Sequence, residues 1–489
     1  MKNDLFLLSR WIIINVFNTG QWSIINGTQM QTTKKQATKI NFALPNRLIS
    51  DHMVLQQGVP NKIWGHADPD VLVQVIPDWL DDVHEANANP EGRWFLSLPA
   101  PPPGGPYELR IKWGETEMLI QDILCGEVWL ASGQSNMEMP LVGEDFDFPI
   151  QNSQKHIAEA NYPQIRMFTV EKTKSDVALD QVSGDWVLAS PETVADFSAV
   201  GYFFAKQLYE SLGVPIGIIN ASWSATAIES WSRPESNQRL GISYPYGAPD
   251  DLEPASPSAL YNGMIFPIHH YAIKGMIWYQ GESNIAFASA YRQQLPAMIA
   301  DWRALWGLGD IPFYFVQLAP FEYDLPEQMS HLRDAQTQVF NSVPNTGLVV
   351  TTDLGQLDDI HPVNKAPVGD RLAFWALART YPEDSVLYSG PHLSKAVSEG
   401  SCVRVTFEPW SLSGGLKFSG EPGLDFELMD QNRTWFSAST KIDGLTLLLS
   451  SEKVPAPTGA RFSWADNAQP NFYNGAGFPA IPFNIKIIH

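Results

Sequence analysis

The chain is short of cysteine, of basic residues and of long apolar runs, and each shortage narrows what it can be. Two cysteines, Cys125 and Cys402, in 489 residues leave no disulfide framework and no thiolate zinc cluster. Cys125 falls inside an apolar run, where a free thiol behaves as a small hydrophobe. Lys and Arg number 32 against 53 Asp and Glu, a formal charge of −21. A chain this acidic lacks the positive field that nucleic acid or an anionic membrane surface requires of a partner. The most apolar N-terminal stretch, L-F-L-L-S then W-I-I-I-N-V-F, is interrupted by Arg10 and Asn15, so it is too short to span a membrane. It resembles the basic and apolar parts of a secretory leader, without a small-residue cleavage site. Triplets of the glycosylation type begin at Asn26, Asn220 and Asn432, a pattern frequent by chance. Location stays open, with a lean to secretion; oligomeric state is not readable.

What is present is a folded composition: 44% hydrophobic and 17% charged, enough length for two or three cores. Seventeen tryptophans and 37 prolines stand out; tryptophan stacks on sugar rings but is also core material. Residues 1–43 read as a leader or tail. From 44 to 121, short apolar runs such as V-L-V-Q-V-I and Y-E-L-R-I-K-W alternate with Pro/Gly/Asn/Asp turns, the pattern of a β-sandwich. From 122 to 385, strand-like runs (123–131, 214–220, 273–279, 311–318, 347–353) alternate with helical spacing at 198–212, 291–306 and 366–380. That alternation predicts an α/β domain with a parallel sheet. Residues 386–489 turn β-rich again.

In an open parallel sheet the reacting groups sit on loops after strand C-termini. Four such loops are polar: A-S-G-Q-S-N-M (131–137), N-A-S-W-S-A-T (220–226), Q-G-E-S-N (280–284) and D-L-G-Q-L-D-D-I-H-P (353–362). Any one of them alone is an ordinary turn or helix cap. Together they supply what a serine hydrolase uses: a serine, a histidine to take its proton, a carboxylate to orient the histidine, and donors for the oxyanion. Ser132 and Ser135 share the first loop. Gly133-Gln134-Ser135-Asn136-Met137 lacks the second glycine of the α/β-hydrolase elbow, which points to a different scaffold.

The block G-E-V-W-L-A-S-G-Q-S-N-M-E-M-P resembles the nucleophile segment of the sialate O-acetylesterase family, among the SGNH-type carbohydrate esterases. L-I-S-D-H-M-V-L-Q-Q (48–57), L-Y-N-G-M-I-F-P-I (260–268), W-Y-Q-G-E-S-N (278–284) and D-I-H-P-V-N-K-A-P-V-G-D-R-L-A (359–373) agree in order, so the likeness covers roughly 44–380. It implies a flavodoxin-like SGNH hydrolase domain with accessory β-sandwich, and removal of acetyl groups from a sugar without metal or organic cofactor. By the same likeness Ser135 is the expected nucleophile and His361 the base. Asp359, matching the family's Asp-Ile-His-Pro, is slightly favoured as the acid over Asp358, which has the Asp-x-x-His spacing. The expected oxyanion donors are the Ser135 and Ser224 peptide N–H groups and the amides of Gln280 and Asn284. Ser283 stands where many SGNH enzymes carry a donor asparagine. Gln134, Trp223 and Trp278 are expected to touch substrate. The chain departs from the family's Trp-Gly-Gly-Thr with Trp223-Ser224-Ala225-Thr226. A side chain there is strained if the position needs positive φ, and this departure puts the sugar in question: sialic acid, or an acetylated plant polysaccharide such as xyloglucan or xylan.

Two other readings compete. A non-catalytic carbohydrate-binding protein on the same scaffold draws on the Ser224-Ala225 change alone. A metal-dependent deacetylase would need a clustered ligand set, and His269-His270 are merely sequence neighbours.

Overall fold

The computed structural model describes residues 43–143, 149–242, 252–323, 326–381 and 385–488. The segment read as a leader, 1–43, lies outside these but for Ala43. Asn41–His489 forms one compact unit, with two apolar cores among its described residues. One runs from Ala43 to Leu377 and takes in Ile481; the other spans Ala396 to Ile487.

The element that organises the fold is an 18-residue strand, β1 (Thr116–Gly133). Its first half pairs antiparallel with Gly104–Trp113. Its second half is buried throughout and pairs in parallel on both sides. The apolar run that begins at Ile123 needs cover on both faces, and the amphipathic start needs it on one. A single strand therefore serves both the N-terminal β region and the central sheet, and the boundary expected at 121/122 falls inside it. Asp122 takes a left-handed φ of 53° there and is held by Arg166 at 2.8 Å and His52 at 2.7 Å.

The other central strands are β2 (Tyr162–Thr169), β3 (Trp186–Ala189), β4 (Ile216–Ser222), β5 (Gly275–Tyr279), β6 (Phe313–Val316) and β7 (Thr346–Val349). They lie in the order β3-β2-β4-β1-β5-β6-β7 within a mixed sheet of eleven strands. Every pairing from β2 to β7 is parallel; only β3 runs antiparallel, on β2. The helices that bear on the site are α1 (Ser135–Glu138), α2 (Ala199–Leu212), α3 (Ala288–Trp306), α4 (Gln328–Ser342) and α5 (Ala366–Arg379). α2 packs on α5 and α3 on α4. The expected strands and helices of 122–385 are all present, within a few residues at each end. β2, β3 and α4 were not foreseen.

Candidate active site

β1 is the middle strand of this series of seven and the point from which the chain winds both ways, with β4 on one side and β5 on the other. Such a switch point leaves a crevice beyond the strand C-termini. The three strands end level: Gly133 is in register with Ser222 of β4 and Tyr279 of β5. Gly133 makes this possible. Its φ is 143°, and a Cβ there would sit 2.1 Å from the Tyr279 carbonyl oxygen. Ser132 stays in the sheet, its hydroxyl donating to the Ala221 carbonyl at 2.6 Å. The chain then turns sharply into α1, whose first residue is Ser135.

Ser135 and His361 line the same cleft, a hollow of about 710 Å³. His361 arrives on the loop between β7 and α5. In that loop Asp359 is buried at 4% exposure, whereas Asp358 faces solvent. Asp359 Oδ1 accepts the His361 peptide N–H at 2.8 Å and lies 3.8 Å from His361 Nδ1. Of the two candidate acids, Asp359 is thus the buried one. The separate apolar hollow of about 400 Å³ around Trp64, Phe266 and His270 has no Ser, Thr or Cys in its lining.

The expected oxyanion donors fare differently. Ser224 lines the cleft, as does Gln134, which was expected to touch substrate, but the Ser224 peptide N–H donates to the Glu138 carboxylate, as does its hydroxyl at 2.8 Å. That N–H is already committed. Gln280 and Asn284 are wholly buried and turn away from the cleft. The Gln280 amide donates to the Thr226 carbonyl at 3.2 Å and to Asn284 Oδ1 at 2.7 Å. Asn284 donates to Glu229 at 3.0 Å and accepts the Ile228 N–H at 3.0 Å. Both amides tie the β5 loop to the β4 loop, Gln280 with both of its N–H groups and Asn284 with one of its two. Ser283 does reach the cleft, and so does Ala225, which adopts φ 57°. The side-chain oxygen of Gln134 accepts the Gly281 and Ser283 N–H groups, each at 3.3 Å, so Gln134 shapes the cleft from within.

Trp278 is core: it is fully buried and meets Trp231 and Trp302 edge-on at 6.1 and 5.7 Å. It is not placed to touch a substrate. Trp223 is half-buried, with the Lys172 ammonium 5.6 Å from its ring centroid. Lys172 also pairs with Glu138. Sequence reasoning passed over Glu138, Asn136, Glu282 and Lys365. Each sits inside a quoted segment, N-M-E-M, Q-G-E-S-N or H-P-V-N-K, so the signal was a charged or amide residue embedded among loop residues.

A family model described as carbohydrate esterase, sialic acid-specific acetylesterase, matches residues 125–377. The chain belongs to this family. Among similar members, the sialate O-acetylesterase of Pongo abelii is 32% identical, the match covering 91% of this chain and 92% of that one. The Homo sapiens sialate O-acetylesterase is also 32% identical, covering 72% and 73%. The crystal structure of a carbohydrate acetylesterase from Xanthomonas citri superposes with a TM-score of 0.83 at 36% identity, over 91% of this chain and 99% of that one. The esterase-family block of 125–377 opens inside β1 and closes inside α5, so it contains all four cleft loops.

Proposed function

We propose that this chain removes O-acetyl groups from carbohydrate by a serine mechanism in which Ser135 attacks the acetyl carbonyl. His361 takes the Ser135 proton and returns it to the leaving sugar oxygen, and Asp359 orients the imidazole. Water then releases acetate from the acyl-enzyme. The observation that carries this reading is the shared cleft: a serine at a strand-to-helix turn lines it together with a histidine whose Nδ1 is 3.8 Å from a buried carboxylate. The Ser135 N–H, at the first position of a helix and so without a partner in the preceding turn, is the first oxyanion donor. With the Ser224 N–H held by Glu138, the next peptide N–H, that of Ala225, is the second, and Ser283 is the third-loop hydroxyl within the cleft. The run of parallel strands β4-β1-β5-β6-β7 supports a flavodoxin-like SGNH catalytic domain over 122–385, flanked by a β-sandwich at 44–121 and a C-terminal β region at 386–489.

The charges in the cleft favour a neutral acetylated sugar. Glu138, Asp196 and Glu282 line it, against a single lysine, Lys172, already paired with Glu138. An anionic sialic acid would enter against like charge, at a cost in both encounter and binding. Acetate release from acetylated xyloglucan and from acetylated sialoglycan, measured side by side, tests this. The neutral polymer is expected to be the better substrate by kcat/KM, with the gap narrowing at high salt as screening sets in. A higher kcat/KM on the sialoglycan would refute the charge argument.

A further inference from the structure

At the cleft floor a fully buried lysine, Lys365, and a half-buried carboxylate, Glu282, have no task in the mechanism above. Lys365 is fully buried, and its ammonium donates to Asn136 Oδ1. Asn136 follows Ser135 in the chain. Its amide nitrogen donates to Glu282 Oε1 at 2.5 Å and to the Ile360 carbonyl at 3.0 Å. An ammonium can only donate, and a carboxylate and a carbonyl can only accept, so these three partners fix which way the amide faces. One side chain thereby joins the turn after β1, the turn after β5 and the loop ahead of α5.

A lysine without solvent is costly unless carboxylates face it. Burial brings the Lys365 ammonium down to about 7, while Glu282 and Asp359 pull the other way. Burial pushes the Glu282 carboxyl up, and its bond from Asn136 and the charge of Lys365 draw it back. The Tyr279 ring, at the end of β5, lies 5.5 Å from the ammonium. The groups facing Lys365 are therefore Glu282 and Tyr279 from β5 and its turn, Asn136 from α1, and Asp359 from its own loop.

We propose that Lys365 is a positioning residue of this esterase: through Asn136 it fastens the loop bearing Asp359 and His361 to the turn bearing Ser135. The inference rests on the assignment of Ser135 and His361 made above. When Lys365 loses its proton, the positive charge that it sets against Glu282 and Asp359 is gone and the clamp loosens. The proton is present below about pH 7 and lost above it, so turnover falls on the alkaline side.

The test is the pH dependence of kcat and KM for p-nitrophenyl acetate, with enzyme-free blanks subtracted, in wild type, Lys365→Arg and Lys365→Met. Wild-type kcat is expected to fall at least about tenfold between pH 7 and 9, with KM within about twofold. Lys365→Arg, which keeps its charge throughout, should lose that alkaline limb. Lys365→Met should lower kcat roughly tenfold or more at pH 6.5 and show no limb. A merely structural lysine would shift the urea midpoint and leave the shape of the profile alone. A wild-type profile flat from pH 6.5 to 9.5, or a limb that persists in Lys365→Arg, overturns the proposal; neither result needs Lys365→Met to fold. Ser135→Ala run in parallel separates the two claims: full activity in it sinks the nucleophile assignment, whereas an inactive Ser135→Ala beside a persisting limb sinks Lys365 alone.

Discussion

Ala225 holds a backbone conformation that few side chains accept. At φ 57° its Cβ crowds the following carbonyl, which costs an L-residue roughly 1–2 kcal/mol. Glycine escapes that strain but loses more chain entropy on folding. Ala225→Gly is therefore expected to stabilise the protein by roughly 0.5–1 kcal/mol in urea unfolding, with acetate release within about twofold because the peptide N–H is unchanged. The sequence raised this question without answering it: Trp-Ser-Ala-Thr names the residues, but only the folded loop says which of them carries the positive φ. The same holds for the amides. Gln280, Ser283 and Asn284 sit on one short turn, and composition cannot say which turns inward. Burial decided it, sending Gln280 and Asn284 to a network under the β4 loop and leaving Ser283 in the cleft. That Ser135 and His361 would line one cleft was legible because the loop bearing each follows an apolar strand that any parallel sheet would bury. The family likeness slightly favoured Asp359 over Asp358, and the fold adds that Asp359 is the one on the buried side of the turn.

At the scale of elements, the site depends on three strands that stop at the same level. Gly133→Ala puts a methyl against the Tyr279 carbonyl at a distance no contact tolerates, so β5 must shift away from β1. The expected result is a loss of more than about 2 kcal/mol of stability together with most of the activity, read by urea denaturation and acetate release on the soluble fraction. The long strand itself was half legible. Its inner half, Cys125 to Gly133, is buried without a break and reads as a central strand. Its outer half alternates and reads as part of a β-sandwich, so the sequence suggested two elements where one continuous strand runs. α4 escaped notice for a related reason. Its buried face carries Ser330, Arg333 and Gln336 beside Met329, Leu332 and Val339, and polar residues on the inner face erase the apolar period that signals a helix. β2 hides a buried arginine in the same way: Arg166 meets the Asp122 carboxylate with two nitrogens at 2.8 and 3.1 Å.

At the scale of the whole molecule, those polar residues of α4 show what the C-terminal β region does for the catalytic sheet. Asp466 Oδ1 accepts the Ser330 N–H at 3.0 Å and its hydroxyl at 2.9 Å. Burial lowers the nearby Arg333 guanidinium to about 10, with Asp466 acting to raise it. Asp466→Ala leaves a buried cation without its carboxylate and is expected to cost roughly 2–4 kcal/mol in urea unfolding. Asp466→Asn, which keeps an acceptor, should cost less. A region that reads from sequence only as more β structure is thus tied to α4, the helix that packs on α3. The account as a whole stands on one residue of the shared cleft. Acetate release from an acetylated polysaccharide by Ser135→Ala, set against wild type at equal folded concentration, tests it most directly. The prediction is a fall of roughly 10³-fold or more with the urea midpoint unchanged; a Ser135→Ala protein that releases acetate at the wild-type rate would contradict it.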